Sequence, residues 1–180
     1  MALRIYLPTW AGGATQQLSA QDLDFITQIL NTTSQKQLFE RMSPNDQHHA
    51  LAVARTLQQA GHTHSSLMQA ALLHDVGKSM GQPLVHRVVI VLLRAFWPAQ
   101  LTRLSTQKPE QSIPQIRTWR RPFVINAQHP EIGATWAKDV DCDALTCHLI
   151  AKHQDKIITN EMTEMETTLL LALQQADDSN

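Results

Sequence analysis

The chain has 180 residues, enough for one sizeable hydrophobic core and too few for two full domains. Its hydrophobic content of 43%, mean hydropathy of -0.24 and net charge of -1 are typical of a water-soluble globular domain. This balance argues against a general nucleic-acid-binding protein, because such proteins are usually strongly basic. We therefore expect a single domain over residues 1–180.

The cysteines and the first residues indicate the compartment. Cys142 and Cys147 lie five residues apart, which is neither a disulfide framework nor the close pairing of a thiolate metal site. We expect free thiols in a reducing, cytoplasmic setting. Residues 1–10 contain one arginine and no long apolar run, so we expect no secretory leader there. Residues 4–7 are the one stretch that suggests a short strand.

Helical signals dominate the rest of the chain. Ser19 followed by Asp22 has the spacing of a capping box, which predicts the start of a first helix. Ser34 followed by Gln37 predicts the start of a second helix in the same way. Both predictions rest on a side-chain oxygen that accepts from the free N–H groups of the first turn.

The third and fourth helices follow directly. Ser43 and Pro44 supply an N-cap and a first-turn proline for the third helix, and Gly61 ends it. The fourth helix is predicted from about residue 65 to residue 76. Gly77 is placed to stop it.

Residues 79–126 are the least regular part of the chain, and we interpret them as an insertion or lid. Residues 85–97 are strongly apolar but too short and too charged to span a bilayer. We expect a core or domain-edge helix there, with a peripheral membrane helix as the alternative. Prolines at positions 109, 114 and 122 predict a long loop in the second half.

One basic cluster lies within this segment: Arg117, Arg120 and Arg121 around Trp119. It offers contacts for a phosphate group, but a solvated loop with arginines along its surface is the favoured interpretation.

Regular helices resume towards the end of the chain. His129 and Pro130 are predicted as N-cap and first residue of a helix. A further helix carries one apolar stripe made of Leu145, Leu149, Ile150 and His153. Thr163 with Glu166 predicts the start of the last helix.

Several of these helices carry polar side chains on their apolar faces. His74 and Asp75 end a strongly apolar helix, where an unpaired carboxylate would be costly. Asp177 shares a stripe with Leu170 and Leu173, and His49 shares one with Val53 and Leu57. Each of these residues taken alone is more often a hydrogen-bonded core residue than a metal ligand.

Together they define a candidate metal centre. Six residues lie on helix faces or ends that can converge on one interior point: His49, His74, Asp75, His129, His153 and Asp177. Histidine and carboxylate without cysteine is a ligand set typical of catalytic divalent metals.

The order of these residues resembles the HD superfamily of metal-dependent phosphohydrolases. The segment 49–54 is similar to the family's first-histidine helix, 72–78 (Leu-Leu-His-Asp-Val-Gly-Lys) to its signature, and Ala176-Asp177 to its terminal motif. The segments 129–134 and 150–153 further resemble the added histidine motifs of two-metal members. The resemblance covers a motif core of residues 44–178, preceded by an N-terminal extension of residues 1–18.

The resemblance implies an all-α fold, a compact single-domain helical bundle of the HD-domain type. It implies hydrolysis of a phosphate ester or anhydride of a small molecule, such as a nucleotide or dinucleotide, by metal-activated hydroxide. His49, His74, Asp75 and Asp177 would bind one divalent ion (Mn, Fe, Co, Ni, Mg or Zn). Asp75 would bridge to a second ion held by His129 and His153. Asp75 and Lys78 are the implied catalytic residues, with Lys78 contacting a phosphate oxygen.

Two segments depart from the family pattern, and the first argues against a cyclic-di-GMP phosphodiesterase. Lys152 stands where cyclic-dinucleotide phosphodiesterases have the first of two histidines, and 156–158 replace their Gly-Tyr-Pro run. Residues 79–126 align with no branch. The alternative is a non-catalytic module that binds a nucleotide or a partner. Four histidines are predicted as non-ligands, namely His62, His64, His86 and His148, and His48 is either a substrate contact or an exposed helix edge.

Overall fold

The regular elements of this protein are helical. The computed structural model describes residues 17–80, 84–106, 113–155 and 162–180, and no strand occurs in these ranges. The all-α prediction is therefore confirmed. The short strand suggested at residues 4–7 lies outside the described residues.

The described ranges contain nine α-helices and two 3₁₀ helices. The α-helices are α1 (Ala20–Ile29), α2 (Thr33–Glu40), α3 (Pro44–Gln59), α4 (Ser65–Leu73), α5 (Leu84–Phe96), α6 (Pro98–Ser105), α7 (Arg121–Asp139), α8 (Ala144–Lys152) and α9 (Glu164–Asp178). The 3₁₀ helices are Val76–Met80 and Ile113–Gln115.

Capping residues start most of these helices as predicted. The capping boxes at Ser19 and Thr163 are both complete, and Ser43 accepts from the first turn of α3. The prediction for α2 is wrong by two residues, because Thr32 is the N-cap and accepts from the Gln35 backbone N–H at 3.1 Å. Threonine caps nearly as well as serine, so capping propensity alone does not separate a helix start at Thr32 from one at Ser34.

The fourth helix ends earlier than predicted. α4 stops at Leu73, His74 is its C-cap, and a 3₁₀ helix follows over Val76–Met80. The only glycine with positive φ among the described residues is Gly61, at 86°, so Gly77 does not act as a left-handed helix stop. Its role is close approach, because a Cβ at Gly77 would lie 2.2 Å from the His129 carbonyl oxygen.

The predicted helix start at His129 and Pro130 is also wrong. α7 begins at Arg121 with Pro122 in its first turn and runs through Pro130 to Asp139. An interior proline removes one backbone hydrogen bond, here the one that the carbonyl of Asn126 would accept. The ring of His129 donates to that carbonyl instead.

The buried core surrounds α4. Every residue of α4 from Ser66 to Leu73 is buried, and α4 packs against α3, α8 and α9. A continuous apolar cluster connects these helices with α1 and α2. The carboxyl end of α4 therefore delivers His74 and Asp75 into the interior, where α3, α7, α8 and α9 can reach them.

The segment 79–126 is more regular than predicted. α5 and α6 occupy its first half, and its last residues belong to α7. The described residues between α6 and α7 form no α-helix and contain one short 3₁₀ helix, and Pro109 of the predicted loop lies outside the described residues. α5 buries Ile90 but leaves most of its apolar side chains exposed, which makes it an edge helix and not a core helix. Prolines at 98 and 122 open helices because the first turn tolerates a missing N–H.

The arginine cluster holds this segment to α7. The Arg120 guanidinium donates to the carbonyls of residues 103, 104 and 106, the last at 2.8 Å. Arg121 donates to the carbonyls of Pro114 and Ile116. These two arginines thus satisfy backbone acceptors at the ends of α6 and of the second 3₁₀ helix.

Two further predictions concern thiols and membranes. Cys142 and Cys147 are free thiols, as expected. Among the described helices, none combines the length and hydropathy needed to cross a membrane.

Candidate metal centre

Six residues from five helical elements meet in the interior. The predicted residues are brought together by α3 (His49), the end of α4 (His74 and Asp75), α7 (His129), the end of α8 (His153) and α9 (Asp177). His74, Asp75, His129 and His153 are buried, and His49 and Asp177 lie at the partly exposed rim.

The first half of the centre is built around Asp177. Its Oδ1 atom lies 2.8 Å from Nε2 of His49 and 3.4 Å from Nε2 of His74. The His74 Nε2 atom lies 3.7 Å from Oδ2 of Asp75. Donor atoms of His49, His74 and Asp75 lie within 4.8 Å of one another, and so do those of His74, His153 and Asp177, so each of these sets could hold a metal ion.

The second half is built around the other oxygen of Asp75. Its Oδ1 atom lies 3.2 Å from Nε2 of His129 and 3.8 Å from Nε2 of His153. The two histidine Nε2 atoms are 3.3 Å apart. The two oxygens of Asp75 therefore face different histidine groups, as a bridging carboxylate would.

The three buried histidines are oriented in the same way. Each Nδ1 donates to the backbone carbonyl three residues earlier: His74 to Ala71 at 2.9 Å, His129 to Asn126 at 2.7 Å and His153 to Ile150 at 2.7 Å. When Nδ1 carries the proton, Nε2 of the neutral ring offers a lone pair. All three lone pairs then face the centre, which is how metal-binding histidines are oriented.

The local chain explains why these carbonyls are available. His74 and His153 are the C-caps of α4 and α8, where the last carbonyls lack helical N–H donors. His129 lies in the middle of α7, but Pro130 follows it. Proline has no backbone N–H, so it donates no hydrogen bond to the carbonyl of Asn126, four residues before it. The His129 Nδ1 atom donates to that carbonyl.

Two buried atoms of the centre lack hydrogen-bond partners. They are Nε2 of His74 and Oδ1 of Asp75. A buried polar atom left without a partner costs about 1–3 kcal/mol. Inward lone pairs beside carboxylate oxygens cannot satisfy one another, but they all suit a cation. The residues therefore fit a divalent metal, and three overlapping sets of three donors each lie within 4.8 Å.

The carboxylates are ionised in this setting. Burial raises the pKa of Asp75, but the positive charges of Lys78 and His74 outweigh it and hold the pKa well below its usual range. Burial likewise raises the pKa of Asp177, but the neighbouring imidazoles of His49 and His74 outweigh it and lower the pKa overall. Both groups are thus ready to bind a cation at neutral pH.

The histidines differ in their protonation. Burial lowers the pKa of His74, but the carboxylates of Asp75 and Asp177 outweigh it and raise the pKa above its usual value. Burial and the neighbouring His74 lower the pKa of His153 to about 3, so this ring is neutral at pH 7. His153 can bind a metal without losing a proton, whereas a cation competes with a proton at His74.

Lys78 lies at the edge of the centre. It belongs to the 3₁₀ helix Val76–Met80, and its Nζ atom donates to Oδ2 of Asp75. The side chain is partly exposed, so one end of the centre is open beside a fixed positive charge.

The other polar candidates lie elsewhere. The donor sets contain none of the four histidines predicted as non-ligands, within the residues described. His48 interacts with Asp22 of α1 and does not belong to the donor sets. Nζ of Lys152 lies 2.9 Å from Oδ2 of Asp155.

Two features of the site were not found from the sequence. The positioning carbonyls of Ala71, Asn126 and Ile150 are backbone groups, although a histidine at a helix end or before a proline is a usable signal for them. The close packing of Gly77 against His129 joins residues 52 positions apart and has no local signal.

Comparison with known proteins found no relative of this chain. No protein-family model, curated protein or solved structure matches the chain. The site is therefore interpreted from its own residues.

A bound metal is expected to stabilise the fold. Metal binding would satisfy the two buried atoms that lack partners, and a ligand at about 100 times its Kd adds about 2.7 kcal/mol to the free energy of unfolding. For a domain of this size, we expect thermal unfolding at a temperature about 5–10 °C higher with Mn²⁺ than with EDTA. Differential scanning calorimetry of both forms measures this. Equal unfolding temperatures at saturating metal would contradict the assignment of the centre.

Proposed function

We propose that this protein is a metal-dependent phosphohydrolase of the HD type that acts on a nucleotide. The observation that carries the proposal is the convergence of six histidine and aspartate side chains around Asp75, with the Nε2 atoms of three anchored histidines directed inward. The order of these residues along the chain, which resembles the HD superfamily, supports it independently.

The residues divide into two ligand groups that share one carboxylate. His49, His74, Asp75 and Asp177 would hold one divalent ion, and Asp75, His129 and His153 would hold the other. Metal ions held in this way would supply Lewis acidity for attack on a phosphate ester or anhydride. Asp75 fixes the spacing of the two groups because each of its oxygens faces one of them.

Lys78 supplies positive charge where a phosphate would enter. Its ammonium group is partly exposed and already contacts Asp75, so a bound phosphate would meet it at the open edge of the centre. A fixed cation of this kind stabilises negative charge that develops on phosphate oxygens during hydrolysis. The contact with Asp75 keeps the lysine side chain near that position before substrate binds.

An open surface pocket lies near the second ligand group. It has a volume of about 380 Å³ and is lined by polar side chains, among them Arg94 of α5, Asn126 and Gln154, and by the apolar Leu101 and Ala127. Asn126 anchors His129, and Gln154 follows His153 in the chain. A cavity of this size suits a nucleotide-sized ligand, and Arg94 offers it a guanidinium for a phosphate.

The function is tested with purified protein and a panel of nucleotides. The protein is stripped of metal, loaded in turn with Mn²⁺, Fe²⁺, Co²⁺, Ni²⁺, Mg²⁺ or Zn²⁺, and assayed for release of phosphate or nucleoside monophosphate. We expect turnover of at least one nucleotide that disappears with EDTA and returns with metal. Tight nucleotide binding with no turnover under any metal would instead support a non-catalytic module.

A Lys78→Gln variant separates catalysis from metal binding. Removing the cation that competes for Asp75 should leave metal affinity unchanged or raise it slightly. We expect kcat to fall by about 100-fold, as for loss of one group that stabilises transition-state charge. Lys138→Gln, at an exposed position near the end of α7, is the matched control. If Lys78→Gln loses metal affinity and activity to the same extent, Lys78 has a structural role only.

A further inference from the structure

One face of α5 exposes a continuous row of apolar side chains. Val85, Val88, Val89, Leu92 and Phe96 are between 37% and 71% exposed. Their spacing of three and four residues places them on one side of the helix, and we call this row the α5 stripe. Ile90, on a different side of the helix, is buried. The helix therefore has an apolar side packed on the protein and a second apolar side facing outward.

Aromatic side chains extend the α5 stripe. Trp97 follows Phe96 directly and is 61% exposed, and the two rings lie 5.9 Å apart. Single exposed apolar residues are common, but a contiguous row of this kind marks an interaction surface. Tryptophan is favoured where an apolar phase meets water, because its ring is largely apolar and its N–H is polar.

The charge around the stripe is strongly one-sided. Residues 76–130 contain eight of the 15 Lys and Arg residues but only one of the 16 Asp and Glu residues, Glu110. This segment thus carries a net charge of +7, and the remainder of the chain carries -8. The near-zero total therefore combines a basic segment, which contains the exposed apolar residues of α5, with an acidic remainder of the chain.

We propose that the α5 stripe docks this protein onto an anionic membrane surface. A helix that lies in the interface needs an apolar face to enter the acyl boundary and positive charge to approach the headgroups. The α5 stripe supplies the first, and the basic segment supplies the second. Attraction to anionic lipids acts over about a Debye length, so the basic residues need not lie on the stripe itself.

The charges oppose the two other occupants of this surface. A symmetric pair of chains packed through α5 would bring two segments of +7 together, and their repulsion would weaken the pair. Residues 1–16 contain Arg4 and no acidic residue, so covering the stripe with them would add positive charge to positive charge. Unlike a second copy of the chain or residues 1–16, an anionic bilayer carries a charge opposite to that of the segment.

The proposal is tested by co-sedimentation of the full chain with vesicles. We expect binding to vesicles of phosphatidylcholine with roughly 30% phosphatidylglycerol, and little binding to phosphatidylcholine alone. Raising the salt concentration should weaken the binding, because it screens the attraction to the headgroups. The tryptophan emission should shift to shorter wavelength with vesicles, and the shift should be much smaller in a Trp97→Phe variant.

Two leucines give a matched pair of variants. Leu92 lies on the α5 stripe and Leu171 lies on α9, and both are 48% exposed. Leu92→Glu should weaken vesicle binding by at least about tenfold, since it puts a charge into the apolar face. Leu171→Glu should leave binding unchanged. Circular dichroism of both variants checks that each remains folded.

Three results would overturn the proposal. Binding to neutral vesicles as tight as to anionic ones would remove the electrostatic argument. Equal vesicle binding by Leu92→Glu and the unchanged protein would place the contact elsewhere. Absence of vesicle binding would also overturn it. A dimer that Leu92→Glu dissociates would then assign the stripe to a second copy of the chain, and a monomer would assign it to residues 1–16 or a protein partner.

Discussion

An Asp75→Asn variant is expected to lose metal binding in both halves of the centre and, with it, the proposed hydrolytic activity. The two oxygens of Asp75 face different histidine groups, so this one carboxylate contributes to both. An amide keeps the size of the side chain but removes its negative charge and one acceptor. We expect metal affinity to fall by at least about 100-fold, because loss of even an outer partner costs 10- to 100-fold.

The measurement must separate loss of the metal site from loss of the fold. Metal content by mass spectrometry and affinity by isothermal titration calorimetry are compared with circular dichroism of the metal-free variant. Asp178→Asn is the control, because Asp178 is exposed and adjoins Asp177 without belonging to the donor sets. A folded Asp75→Asn variant with normal metal affinity would refute the assignment of the centre.

The sequence predicted that these six side chains converge, because helical periodicity determines which faces turn inward. Asp177 shares a stripe with Leu170 and Leu173, and both leucines are buried in the structure. His49 follows the same rule on α3, next to the buried positions of Val53 and Leu57. Charged and polar residues on such faces must find partners, and here they find one another.

The sequence did not predict how α7 passes through the site. Pro130 indicated a helix start because proline is common in the first turn. A helix that continues through a proline needs another donor for the carbonyl that the proline leaves without a hydrogen bond. In the structure, α7 continues, and the carbonyl of Asn126 accepts from His129 Nδ1. A propensity rule considers the backbone bond that proline removes, but not the side chain that can use the carbonyl.

The burial of α5 also could not be predicted from its own residue pattern. Residues 85–97 predict an apolar helix whether it is buried, at an edge or against a membrane, since all three environments accept the same residue types. Only the tertiary contacts show that Ile90 is buried and Leu92 is exposed. Burial of a uniformly apolar helix is a property of its neighbours, and sequence periodicity alone does not identify them.

Gly77 carries the largest expected effect on stability. A Cβ at this position would lie 2.2 Å from the carbonyl oxygen of His129 and 2.9 Å from both its carbonyl carbon and its Cα. These are backbone atoms of α7, so no side-chain rotation relieves the overlap. The 3₁₀ helix Val76–Met80 and α7 would have to separate, and that movement would pull Asp75 away from His129.

A Gly77→Ala variant should therefore lower the free energy of unfolding by about 3 kcal/mol or more and weaken metal binding as well. Urea unfolding of the metal-free protein measures the first effect, and calorimetry with Mn²⁺ measures the second.

Two other glycines separate this steric effect from a general cost of replacing glycine. At Gly133 of α7, a Cβ would lie 3.3 Å from a side-chain methyl of Ile150. Alanine favours the helix, so Gly133→Ala should change the free energy of unfolding by no more than about 1 kcal/mol. At Gly61, φ is +86° and no atom lies within 4 Å, so Gly61→Ala should cost about 1–2 kcal/mol with metal affinity unchanged. If Gly77→Ala is no worse than Gly61→Ala, the contact with His129 does not constrain the centre. If it alone loses both stability and metal affinity, then the close backbone packing at Gly77 fixes the distance between Asp75 and His129.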